Sequence, residues 1–87
     1  MGKYNKLLDK ILLAKSDNNI NFDELCFLLK KMGFTERIKG SHHIFYMNGI
    51  DEIINIQPIR KFAKSYQARQ IRNIIIKYQF GGKIIDE

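Results

Sequence analysis

At Gly33 the hydrophobic pattern changes period, and that change restricts the chain to a small set of folds. Before it, Phe22, Leu25, Cys26, Leu29 and Met32 recur every three or four positions and mark the buried stripe of a helix. After it, apolar residues alternate, as they do along a half-buried strand. Asn21 stands as an N-cap three residues ahead of Glu24, the spacing of a capping box, and Ile20 and Leu25 are placed for a hydrophobic staple. Gly33 supplies the left-handed stop. Residues 34–39 and 42–47 then read as two strands. Asn48-Gly49 predicts a type I′ hairpin turn, in which both central residues take positive φ. Residues 52–57 return as a third strand, which ends at Pro58 for want of an N–H.

Helices flank this hairpin unit. Tyr4, Leu7, Leu8, Ile11 and Leu12 predict a first helix over residues 3–14, broken by the turn-forming Ser16-Asp17-Asn18-Asn19. After a basic loop over 59–64, Ser65 is the expected cap of a last helix reaching about Tyr78. That helix should bury Gln67, Ile71, Ile74, Ile75 and Tyr78, anchor itself through Tyr66, and turn Arg69, Arg72 and Ile76 outward. The order helix, helix, three antiparallel strands, helix is that of an α+β domain with helices packed on one side of the sheet. At 87 residues the chain is a single domain with one thin core, residues 1–19 forming an N-terminal helical extension to the body over 20–80.

Composition narrows the class further. With 45% hydrophobic and 28% charged residues the chain has the balance of a globular domain, and its apolar runs fall far short of the ~18–20 residues of a membrane span. No signal peptide is expected at the start. The one cysteine, Cys26, cannot pair internally and falls on a core-facing stripe, so it reads as a packing residue in a protein of the cytoplasm. Charge is unevenly placed. Residues 59–80 hold Arg60, Lys61, Lys64, Arg69, Arg72 and Lys77 without a single acid, against a net +6 for the whole chain. A block of one sign is what a polyanion footprint requires, because each neutralised phosphate releases counterions. It is also what a solvated helix face looks like.

Most catalytic chemistries find no foothold. Adjacent histidines on a strand point to opposite faces, and no carboxylate has ligand spacing to either, so neither a metal nor another cofactor is expected. Nucleophile elbows and Gly-rich phosphate loops are missing. What remains is Lys39-Gly40-Ser41-His42-His43, where a glycine permits close approach of a ligand, a cation and a hydroxyl suit phosphate, and histidine, with a free pKa of ~6.5, suits proton transfer. His42 shares a face with Ile44 and Tyr46, and His43 with Phe45 and Met47; the pleat alone does not say which face is wet.

Several of these segments together resemble the HicA toxins, small mRNA interferases of the YcfA/HicA group. The resemblance runs from about Phe22 to Tyr78. It rests on Leu28-Leu29-Lys30-Lys31-Met32-Gly33-Phe34, on Lys39-Gly40-Ser41-His42-His43-Ile44-Phe45, on the proline-terminated Ile54-Asn55-Ile56-Gln57-Pro58, and on Ala63-Lys64-Ser65-Tyr66-Gln67-Ala68-Arg69-Gln70-Ile71-Arg72-Asn73-Ile74. It implies a fold like the double-stranded-RNA-binding domain, endoribonuclease activity on single-stranded or structured mRNA, and a HicB-like antitoxin as protein partner. The family's catalytic histidine follows the Gly-Ser pair and corresponds to His42; some members carry it one place later, which would be His43. The N-terminal helix and Ile59-Arg60-Lys61-Phe62 depart from the family pattern. On this reading Lys39, Ser41, His43, Lys64, Arg69 and Arg72 contact RNA and His42 transfers the proton, without metal or small-molecule cofactor. Two other readings stay open: an RNA-binding module of the same fold without cleavage, and a basic protein that docks an acidic partner.

Overall fold

The computed structural model describes residues 3–80. Among them, α1 (Lys3–Leu13), α2 (Phe22–Met32), β1 (Thr35–Lys39), β2 (His42–Met47), β3 (Ile50–Ile56) and α3 (Ser65–Lys77) follow in that order, with a 3₁₀ turn at Asp17–Asn19 between the first two helices. The architecture is the α+β one that the change of period predicts: three antiparallel strands in the order β1-β2-β3, with helices over one face.

Local chemistry sets the limits of α2. Asn21 Oδ1 accepts the Glu24 N–H at 3.0 Å. At the other end Gly33 adopts φ 110°. Its N–H donates to the Lys30 carbonyl and that of Phe34 to the Leu29 carbonyl, both at 3.0 Å, which closes the last turn as a Schellman motif. Leu29 and Phe34, the two apolar residues that such a motif brings together, are both buried.

Cross-strand register decides which face of the sheet is wet. Glu36↔Phe45, Ile38↔His43, His43↔Ile56 and Phe45↔Ile54 share the face that carries buried Phe45, Ile54 and Ile56. Lys39↔His42, Arg37↔Ile44 and Ile44↔Asn55 share the opposite face. The adjacent histidines are thereby separated: His43 turns toward the core side and His42 toward solvent. Gly40 takes φ 62° in the two-residue turn between Lys39 and His42, as a type II′ hairpin requires of its first central residue. An added Cβ there would meet nothing within 4 Å, so this conformation explains the glycine without any close approach within the fold.

The second turn corrects the sequence expectation. Only Gly49 of Asn48-Gly49 has positive φ, at 90°, so the turn is not type I′. The ladder also shifts between Phe45 and Met47, running from Phe45↔Ile54 to Met47↔Ile50. A turn of the wrong hand splays a hairpin, and a bulge increases its twist again.

α1 is a wall of the core. Leu7, Leu8 and Ile11 belong to one cluster with Leu25, Leu28 and Leu29 of α2, Phe45, Ile54 and Ile56 of the sheet, and Ile71, Ile74 and Ile75 of α3. The basic loop is also tied down. Ile59 and Phe62 exchange backbone hydrogen bonds of 2.8 and 3.0 Å, Phe22 N–H donates to the Lys61 carbonyl at 2.8 Å, and Ala63 N–H donates to the Ile20 carbonyl at 2.9 Å. Arg60, at the tip, holds φ 58°, an uncommon conformation for a residue with a Cβ. The cap of α3 falls one residue before the expected Ser65. Lys64 occupies it, and the buried Gln67 compensates by accepting the Lys64 N–H on Oε1 at 3.0 Å. No described helix is long and apolar enough to cross a membrane.

A polar clamp joins the far end of α3 to β3. Glu52 accepts from Lys77 Nζ at 2.8 Å and from the Tyr78 hydroxyl at 2.7 Å. The Lys77 hydrogen bond, followed by that of Tyr78, lowers the Glu52 carboxyl to about 2 from its ordinary 4.5. A carboxyl depressed by folding stabilises above its unfolded pKa, and the contribution disappears as pH falls through the folded value. Thermal melts should therefore find wild type more stable than Glu52→Gln at neutral pH, with the gap closing between about pH 4.5 and 2. A gap independent of pH across that window would show that the charge on Glu52 is not what holds the clamp.

Candidate active site

His42 opens β2, immediately after the glycine turn, on the solvent face of the sheet. It is exposed, and its Nδ1 lies 3.1 Å from Oδ1 of Asn55, whose strand partner is Ile44. In the neutral ring, an Nδ1–H that donates to that oxygen leaves the lone pair on Nε2. Asn55 thereby fixes the orientation of the ring, as the partner of a proton-transferring imidazole would have to. Around this pair is a small cleft of about 180 Å³, lined by His42, Asn55, Gln57, Tyr66 and Gln67. Ser41 closes its rim by accepting from Gln57 Nε2 at 2.9 Å.

His43 has a different environment. Its ring meets Phe22 edge-on at 4.9 Å between centroids, and its Nδ1 lies 2.7 Å from Glu36 Oε2. Lys30 Nζ sits 3.0 Å from the other oxygen of Glu36. Burial tends to raise the Glu36 carboxyl, but the hydrogen bonds of His43 and Lys30 outweigh it and hold the group below its ordinary value. The sequence reading put no carboxylate within reach of either histidine; the structure corrects that, because Glu36 and His43 face the same side of neighbouring strands. Cys26 completes the group, its sulfur and donor atoms of Glu36 and His43 lying within 4.8 Å of one another. These are donor types that suit a borderline metal ion. As arranged, both Glu36 oxygens have partners, and burial, then the nearby Glu36 and Asp23 carboxylates, pushes the Cys26 thiol up to about 12. A thiol so protonated is neither nucleophile nor ready ligand.

The cationic block separates into two parts. Arg72 does not face outward as expected: its guanidinium grips Asp17 through bonds of 2.9 and 3.2 Å and donates a third, of 3.2 Å, to the Ile11 carbonyl. It joins the α1–α2 connection to α3, which removes it from the set of residues free to hold phosphate. Lys77 is held by Glu52. Among the described residues Arg60, Lys61, Lys64 and Arg69 have no acidic partner, and all four lie in the loop before α3 or in its first turns. Lys39, opposite His42 in the register, and Arg37 add positive charge on the exposed face of the sheet.

Tyr66 is likewise not the anchor that the sequence implied. It is 53% exposed and stands between the His42 cleft and a larger groove of about 660 Å³. Asn55 and Gln57 are candidate site residues that the sequence does not single out, and Tyr66 is one that it assigns to anchoring α3 rather than to a base-stacking platform. A detectable signal existed for Asn55: any hairpin through Asn48-Gly49 whose loop has an even number of residues places it on the face of His42. Compared with protein-family models, curated proteins and solved structures, the chain matches none of them.

Proposed function

We propose that this protein is an endoribonuclease that cuts mRNA without a metal, acting as the toxin of a type II toxin–antitoxin pair of HicA type. The observation that carries the reading is the His42 imidazole, exposed in a cleft with Nδ1 held by Asn55 and Nε2 left to accept a proton. Cations without an acidic partner among the described residues add to it: Lys39 opposite His42 on the sheet, Lys64 in the groove that shares Tyr66 with the cleft, and Arg69 one turn further along α3.

In the reaction, Nε2 takes the proton of a ribose 2′-hydroxyl. The 2′ oxygen attacks the adjacent phosphorus, and the bond from phosphorus to the 5′ oxygen breaks. The leaving oxygen takes a proton from solvent, to which the cleft is open. The products are a 2′,3′-cyclic phosphate and a 5′-hydroxyl end. A single positioned base supplies about 10²–10⁴-fold, the scale of a slow nuclease acting on abundant messenger. His43, tied to Glu36 and packed on Phe22, supports the strand that presents His42. An antitoxin partner of HicB type, acting in the cytoplasm, would cover the cleft and present acid to the cations around it.

Purified protein in the presence of EDTA should cut a messenger-length RNA and leave DNA of the same sequence whole, because DNA lacks the attacking hydroxyl. Binding of RNA without cleavage would identify the chain as a binding module instead. Binding to neither nucleic acid would reject the reading.

A further inference from the structure

We infer that the groove beside the His42 cleft is a nucleobase pocket, in which Tyr66 stacks on the unpaired base next to the scissile phosphate of a single-stranded RNA. The inference rests on the ribonuclease reading and adds to it a site that selects the substrate's conformation.

The groove has apolar walls and a cationic rim. Ile59, Phe62, Ala63 and Tyr66 line it, with Arg60 and Lys64 beside them. Ile59 and Tyr66 are each more than half exposed, an unusual placement for large apolar side chains so near one another. Their position is fixed by the backbone. Reciprocal hydrogen bonds between Ile59 and Phe62 close the turn, bonds from Phe22 and Ala63 strap it to the start of α2, and Tyr66 belongs to the first turn of α3. Arg60, exposed at the tip of that turn, adds a cation to the rim. Lys64 Nζ lies 6.0 Å from the centre of the Tyr66 ring.

A nucleotide repeats this pattern: a flat apolar ring at one end, a phosphate at the other. Sequence-tolerant binders of single strands meet it with an aromatic platform flanked by cations. Because Tyr66 also lines the His42 cleft, a base stacked on its ring lies one nucleotide from the ribose on which His42 acts. A double helix keeps its bases stacked on one another and cannot use such a pocket. The cleavage site must therefore be unpaired. An acidic peptide would meet the rim cations but give the exposed ring no flat partner.

The test uses the whole protein and short single-stranded RNAs that are 2′-O-methylated to prevent cutting, with 2-aminopurine stepped along the sequence. Wild type should bind and quench the fluorescence at one position. Tyr66→Ala should abolish that quenching and weaken binding about 5- to 150-fold, while Tyr66→Phe retains both. Neither change should alter the melting temperature, since the side chain is exposed. If wild type binds but Tyr66→Ala binds equally and quenches equally, the base pocket is wrong and the ribonuclease reading is untouched. If the rim variant Lys64→Ala weakens binding while Tyr66→Ala does not, the contact is to phosphate alone, and the pocket is again wrong. If wild type binds none of these RNAs and also fails to cut unmodified RNA, the ribonuclease reading itself falls.

Discussion

Alanine in place of His42 should lower RNA cleavage by about 10²–10⁴-fold while leaving the fold, and most of the affinity for RNA, intact. The side chain is exposed and its hydrogen bond to Asn55 is at the surface, so its removal leaves no buried polar group without that partner. His43→Ala should behave in the opposite sense. It leaves Glu36 with Lys30 alone and removes the ring that packs edge-on against Phe22, at a cost of about 1–3 kcal/mol in stability. Loss of cleavage in His43→Ala should therefore follow the unfolded fraction and recover on cooling, whereas that of His42→Ala should not. Asn55→Ala tests the orienting role: with Nδ1 unheld, kcat should fall while binding of uncleavable RNA changes little. Should both histidine variants cut RNA at the wild-type rate while folded, no imidazole mediates the reaction.

The largest effect on stability belongs to Arg72→Ala. Arg72 and Asp17 retain only 15% and 17% of their side-chain exposure, and the guanidinium makes three hydrogen bonds across the junction of α1, the 3₁₀ turn and α3. An exposed pair contributes up to about 1 kcal/mol, and breaking a buried one costs about 3–5 kcal/mol. This pair lies between those limits, so the loss should be about 2–3 kcal/mol. For a domain of this size that lowers the melting temperature by about 10–20 °C. A cycle with Asp17→Ala isolates the coupling of the two residues. The same variant distinguishes structure from recognition. Arg72→Ala, compared below its melting transition, should leave the salt dependence of RNA binding unchanged, whereas Lys64→Ala should reduce the slope by about 0.7 for one lost phosphate contact.

Arg72 also shows where reading the sequence stops. A helix periodicity places it on the outer side of α3, where a free arginine would face solvent. The partner that covers it comes from a turn 55 positions earlier, and no local pattern reports such a distance. Glu36 and His43 meet for a related reason, through the register of two strands. The features that were legible are those whose physics is local: the Asn21 cap, the Gly33 stop and the Pro58 ending, whereas Gly40 read as a place of ligand approach and proved to be a hairpin turn. The Asn48-Gly49 turn was found, but its type was not, because a bulge one step along β2 and β3 altered the twist that the turn had to match. The exposure of His42 needed only the fact that Phe45 is buried, since alternation then fixes every other residue of β2. Tyr66 reads in sequence as one more aromatic at a helix start. Its place between cleft and groove depends on how residues 59–63 strap onto residues 20–22, which is tertiary.

The most direct measurement follows the 2′-hydroxyl at the point of attack. In EDTA, an RNA cut at one position by the wild-type protein is compared with the same RNA carrying a single 2′-deoxy residue 5′ of that position, and the product ends are read by mass spectrometry. Proton transfer by His42 predicts a 2′,3′-cyclic phosphate and a 5′-hydroxyl from the first, and no cut at that position in the second. Cleavage of the deoxy-substituted bond, or products ending in a 5′-phosphate, would contradict it.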